Sequence, residues 1–265
     1  MHHASFRSVD FQRSLADEPL AFCVDCHAPL ARSREDVTGL DEGVGCASCH
    51  QTTALHAERP ASEKPTTVTC KGCHEFAFPG KAETMQRTAT EHARSEFAGV
   101  GCVGCHMPTA PGHHRSHVFA ASRDPGRLRE AIAMDGIARV PGGVQVRVRS
   151  VGVGHAFPTG DLYRALRVRV WTEDDEGRVL SDDDAELTRV FRDSRAGAGT
   201  ASRVEERDDR LQGEPRALVF LVSDEKRVRR VHVTITYDRV ADVRQGIRTL
   251  FDSTVLVDTF QELSP

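Results

Sequence analysis

CVDCH at 23–27, CASCH at 46–50, CKGCH at 70–74 and CVGCH at 102–106 repeat one five-residue phrase four times in the first half of the chain. In a CxxCH phrase the two thiols add to the vinyl groups of a haem, and the adjacent histidine takes one axial position on the iron. A zinc site or a thioredoxin-like dithiol also uses CxxC. Neither calls for the histidine that follows every pair here, at His27, His50, His74 and His106. The phrases use all eight cysteines: Cys23, Cys26, Cys46, Cys49, Cys70, Cys73, Cys102 and Cys105. None is left for a disulfide or a separate metal site. The expectation is four haem c groups, with the cysteines as thioether anchors and the four histidines as proximal iron ligands.

The phrases begin at 23, 46, 70 and 102, spacings of 23, 24 and 32 residues, a loose repeat of units that each wrap one porphyrin. The segments between them are rich in Gly, Pro, Thr, Ala and Glu and poor in large apolar residues. Such a region builds no ordinary core, so the haems themselves are expected to be its core, with folding dependent on them. The whole chain, 265 residues with 39% hydrophobic and 28% charged, is long enough for one large or two modest domains. No apolar run reaches membrane-spanning length, so no transmembrane segment is expected. Lysine occurs only at 64, 71, 81 and 226. The many arginines suit pairing with propionates and carboxylates, and with no basic patch interleaved with aromatics, nucleic acid is not an expected partner.

Residues 1 to about 20 read as a mixed polar terminus. Thr90 to Phe97 reads as a short helix, and Asp124 and Pro125 stand as N-cap and N1 of another that runs to Met134 and closes the haem region. After Gly136 the texture becomes alternation. Val144, Val146 and Val148, then Leu166, Val168 and Val170, then Val231, Val233, Ile235 and Tyr237 each alternate with polar residues. Period two in this many segments predicts half-buried antiparallel strands. With runs at 217–222 and 250–257 the count is six or seven strands, as in a small immunoglobulin-like sandwich. Residues 173–210, acidic and Gly-rich in places, are expected to include long surface loops. The expected organisation is a mostly irregular and α-helical tetrahaem domain over 1–138, then an all-β sandwich domain over 139–265.

The second axial position on each iron separates carrier from enzyme, because a second imidazole leaves no place for substrate. Nine histidines remain: His2, His3, His56, His92, His113, His114, His117, His155 and His232. The distal candidates are His56, which the short loop after His50 directs to a neighbouring haem; His92, on the helix before the fourth phrase; His117, which Val118 and Phe119 can pack against a porphyrin; His155, in the constrained loop VGVGHAFPTGD; and His3, slightly ahead of His2. His232 lies on the polar face of its strand and fits a structural residue.

GVGCASCH at 43–50 with His56, GVGCVGCHMP at 99–108, His117 with Val118 and Phe119, and GHAFPTG at 154–160 before a β-rich region together resemble the multihaem c-type cytochromes related to the tetrahaem cytochrome of ammonia oxidisers and to tetrahaem cytochromes that polymerise into extracellular filaments. The resemblance implies an extracytoplasmic protein, periplasmic or at the cell surface. Relatives carry a further CxxCH upstream of an element like MHHAS, so the start at Met1 is expected to be a mature or truncated terminus. The functional expectation is electron transfer through four close-packed bis-histidine haems, to redox partner proteins and, by self-association, along an end-to-end filament. On ligand arithmetic the chain is expected not to be an enzyme. The rival is a multihaem reductase or oxidoreductase with one open iron, acting on nitrite, hydroxylamine or a sulfur oxyanion.

Overall fold

In the computed structural model the described residues are 5–17, 22–33, 35–50, 67–77, 83–112, 115–119, 121–160, 164–196, 200–244 and 247–264. They are rich in strand, with short helices and several sheets. The chain divides into two compact units: Met1–Arg94 with Ala98–Ala121, and Ser95–Phe97 with Ser122–Pro265. The expected junction at 138/139 falls inside a strand of the second unit, Ile132–Val140.

The first unit is built of short helices: α1 (Val9–Asp17), α2 (Cys23–His27), α3 (Val37–Glu42), α4 (Cys46–His50), α5 (Thr67–His74), α6 (Thr88–Ala93) and α7 (Cys102–His106), with one hairpin of β1 (Glu75–Ala77) and β2 (Thr84–Arg87). Each CxxCH phrase is itself the last turn of a helix. The reason is geometric: one α-turn places residues i, i+3 and i+4 on the same face, which gathers both thiols and the imidazole. Ala28 N donates to Val24 O at 2.8 Å and Met107 N to Val103 O at 3.1 Å, closing α2 and α7 behind their histidines. The polar terminus expected at the start is in part α1. Phe6 and Phe11 are buried, and with Ala28 and Leu40 they form a core of only four buried residues.

The second unit opens with α8 (Pro125–Glu130), where the Asp124 carboxylate accepts from Gly126 N at 2.9 Å and Arg127 N at 3.2 Å, with Pro125 in the first turn. The helix stops at Glu130, short of Met134, because Leu128 and Ile132 both enter the β core and the chain turns into a strand to place them. The strands are β3 (Ile132–Val140), β4 (Gly143–Ser150), β5 (Arg164–Glu173), β6 (Val179–Leu187), β7 (Arg189–Ala196), β8 (Thr200–Asp208), β9 (Arg216–Leu221), β10 (Arg230–Arg244) and β11 (Ile247–Glu262). They form antiparallel sheets in the orders β3-β4-β9, β11-β10-β5-β6 and β7-β8. Val144, Val146 and Val148 of one sheet share a single apolar core with Leu166, Val168, Val231, Val233 and Ile235 of another, all fully buried. Period two along each strand sends these residues inward, as the alternation predicts.

The region between 173 and 210, expected to include long loops, holds β6, β7 and β8. Strand β6 escapes an apolar pattern because its outward face is written in charge. Asp182 and Asp184 each take a two-pronged hydrogen bond from an arginine of β5, Arg169 and Arg167, at 2.6–3.0 Å. Cross-strand ion pairs of this kind hold an edge strand that has little apolar surface to bury.

Candidate haem-binding site

The four CxxCH turns converge within the first unit. Cys26 and Cys73, of the first and third phrases, are joined by a hydrogen bond, as are Cys70 and Cys102, of the third and fourth, and Cys49 of the second lies near both Cys70 and Cys73. The third phrase therefore sits among the other three. Burial, reinforced by the neighbouring Cys102 and Cys49, pushes the Cys70 thiol up to about 12. The hydrogen bond to Cys26 and burial push Cys73 up as well. No two of the eight cysteines pair in a disulfide. Among the described residues no three His, Cys, Asp or Glu side chains converge on one metal-sized point, as a zinc site requires.

The histidine rings are held by one nitrogen. His27 Nδ1 donates to Ser5 O at 3.1 Å, and the ring stacks on Phe11 at 3.7 Å between centroids with planes 11° apart. His117 Nδ1 donates to Arg115 O at 3.0 Å, and His155 Nδ1 to Ala156 O at 3.0 Å. His74 Nδ1 faces the side-chain amide of Gln86 at 2.9 Å. At His27, His117 and His155 the carbonyl acceptor at Nδ1 fixes the tautomer and leaves the Nε2 lone pair free for a metal. Ser5 and Phe11 carry no signal of their roles at His27 in the sequence.

The His50 and His117 rings lie near each other, with centroids 6.3 Å apart and planes inclined by 42°. Two metal–imidazole bonds of about 2 Å plus the two ring radii separate imidazoles on opposite sides of one metal by about 6 Å. The donor set and its spacing thus fit a haem iron between the second phrase and His117. Phe119 meets the His117 ring edge-on at 6.1 Å and has a left-handed φ of 49°, a conformation that costs a non-glycine residue about 1–2 kcal/mol. Val118, expected beside it against a porphyrin, is 68% exposed. Arg115 donates to Val103 O and Met107 O at 3.4 and 3.2 Å, tying the stretch that carries His117 to α7.

Of the other distal candidates, His92 is half-buried on α6. His155 belongs to the second unit, where its loop is pinned by paired backbone bonds between Phe157 and Leu211 at 2.8 and 2.9 Å and by Arg210 Nη1 donating to Pro158 O at 3.3 Å. His3 and His56 lie outside the described residues, as do His2, His113 and His114. His232 stacks on Trp171 at 4.5 Å and places Nε2 3.2 Å from Glu173, near enough for an ion pair but without hydrogen-bond alignment. It is a structural residue of the sheet.

No protein-family model matches the chain, and no curated protein matches it in sequence. A solved structure does: over 91% of this chain and 84% of the other, a penta-haem cytochrome c552 from Thermochromatium tepidum superposes with a TM-score of 0.69 at 20% sequence identity. The chain has the fold of a multihaem cytochrome c. At that identity the likeness speaks of fold. It nevertheless overturns one expectation, that the chain is not an enzyme. The exclusion rested on spare histidines saturating four irons. The neighbour is a five-haem cytochrome, and of the spare histidines here His232 is engaged with Trp171 and Glu173, so the ligand count does not decide the matter.

Proposed function

We propose that this chain is an extracytoplasmic multihaem c-type cytochrome that transfers electrons among four haems anchored at Cys23/Cys26, Cys46/Cys49, Cys70/Cys73 and Cys102/Cys105. Proximal ligation falls to His27, His50, His74 and His106, and distal ligation to His117 for the second haem and to His3, His56, His92 and His155 among the rest. The observation that carries this reading is the 6.3 Å separation of His50 and His117, one from a CxxCH turn and one from far along the chain. Haem c, when bound, supplies a one-electron couple at each iron. The chain's part is to hold the imidazoles through Nδ1, to bring the attachment turns together and to exclude water with the packed helices. The three- and four-stranded sheets, which share one core, are read as the two layers of a sandwich that follows the haem unit in the chain.

Self-association extends the reading. The surplus histidines motivate an end-to-end filament in which His3 of one copy ligates an iron of the next. A preparation that stays monomeric with every iron six-coordinate would sink the filament. A second reading, reduction of nitrite, hydroxylamine or a sulfur oxyanion at an open iron, is favoured by the fold shared with a five-haem cytochrome. Low-temperature EPR and absorption spectra of the oxidised holoprotein, with haem counted per chain by mass, decide between them. Four low-spin haems are expected. A high-spin iron whose signal shifts on adding nitrite would select the reductase, and fewer than four haems per chain would overturn the attachment scheme.

A further inference from the structure

His74 is held differently from His27, His117 and His155. Backbone carbonyls accept from those three, and no substitution of the acceptor residue removes a carbonyl. At His74 the partner is a side chain. The Gln86 amide nitrogen stands 2.9 Å from His74 Nδ1 and 3.2 Å from Thr88 Oγ1. Strand β2 delivers Gln86, which pairs with Phe76 of β1, and β1 begins at the residue after His74. Glu75 in turn holds α6, its carboxylate accepting from Thr90 N at 3.0 Å and Thr90 Oγ1 at 2.5 Å. The CKGCH turn, the hairpin and the start of α6 are thus braced into one piece around the His74–Gln86 contact.

A metal on Nε2 of a neutral imidazole requires the ring proton on Nδ1. Gln86 is the side chain that stands at that nitrogen, here with its amide N–H, a donor, toward the ring, so it accepts the proton only after its amide turns. With its amide turned half a revolution about the last torsion, which exchanges groups of nearly equal size, Oε1 faces Nδ1–H. The Thr88 hydroxyl, donor or acceptor as needed, then donates to the same oxygen. A stronger acceptor at Nδ1 makes the imidazole more basic and favours the oxidised iron, whereas loss of the acceptor favours the reduced one.

We propose that Gln86, supported by Thr88, is the positioning residue that sets the reduction potential of the haem attached at Cys70 and Cys73. The inference rests on the haem attachment proposed for CKGCH. It is tested by spectroscopic redox titration of the holoprotein beside Gln86→Glu, Gln86→Leu and Thr88→Val, with haem content of each determined by mass. One component of the titration is expected to move down in Gln86→Glu and up in Gln86→Leu, by about tenfold in its reduction equilibrium, or about 59 mV for one electron. Thr88→Val should move the same component up by less, and the remaining components should hold still. Full haem content with no component moving, or all components moving together, or Glu and Leu moving one component the same way, would overturn the proposal. If Gln86→Leu loses a haem, the Glu and Val variants decide it. A wild-type peptide spanning Cys70 and Cys73 without the mass of a haem would instead refute the attachment reading itself.

Discussion

Replacing His117 by alanine removes the ring whose centroid lies 6.3 Å from that of His50 and leaves the attachment turn Cys46–His50 intact. Anchoring and ligation are thereby separated. The variant is expected to keep its full haem count, because the thioethers come from Cys46 and Cys49, while one haem of the four passes from low-spin to high-spin. Added imidazole should restore the low-spin signal, and an EPR titration reads both changes. An unchanged spectrum would assign the distal position of the second haem elsewhere. At this scale the attachment residues proposed here are read straight from the sequence, since CxxCH is local. The sequence shows the distal half only as a list of histidines, because pairing His50 with His117 depends on how the 66 intervening positions fold back. The acceptors at Nδ1 are invisible in principle where they are carbonyls, which every residue has.

The hairpin turn between β5 and β6 is fixed by one carboxylate. Asp174, buried, accepts from Glu176 N at 3.0 Å, from Arg178 N and Nε at 2.9 Å, and from Arg227 Nη2 at 2.8 Å. Backbone and guanidinium hydrogen bonds that favour the charged form hold its pKa down at about 2. A folded pKa below the unfolded value of about 3.9 gives stability that is complete above that value and lost as pH falls through about 2. Asp174→Asn should therefore lower the melting temperature of the protein at neutral pH, with the difference from wild type shrinking below about pH 4 and closing near pH 2. Thermal melts between pH 2 and 7 check the sign: a difference that widens in acid would contradict it. Leu166→Ala, in the shared core and fully buried, is expected to cost about 2–5 kcal/mol in urea unfolding. The strands that hold such residues are legible because burial on one face writes an alternation into the chain, as at Val144 to Val148. Strand β6 is not, because Asp182 and Asp184 make its cross-strand contacts by charge, and α8 ends early because Leu128 and Ile132 are both claimed by the sheet core.

At the scale of the whole molecule the two units differ in what holds them together. Among the described residues the apolar core cluster of the second unit has twenty buried members, whereas that of the first has four, Phe6, Phe11, Ala28 and Leu40, with Met85 and Met107 buried apart from it. Each buried aliphatic or aromatic side chain contributes about 1.5–3 kcal/mol, so the second unit has an ordinary hydrophobic core and the first falls far short of one. If haem supplies the difference, folding of the first unit is linked to attachment in the way a zinc finger's is to its metal. Chain produced without haem-attachment machinery is then expected to be half folded. Limited proteolysis should cleave readily within residues 5–119 and leave a resistant fragment that begins near 122 and retains the β-sheet circular dichroism signal. Holoprotein under the same digestion should keep its first unit protected, and the protection should fail when any one attachment pair, such as Cys70 with Cys73 at the centre of the four turns, is replaced by serine. The centre should matter most, because Cys26, Cys49 and Cys102 all gather around the third turn. Equal protease resistance of haem-free and haem-loaded chains would mean that the helices of the first unit stand without the cofactor.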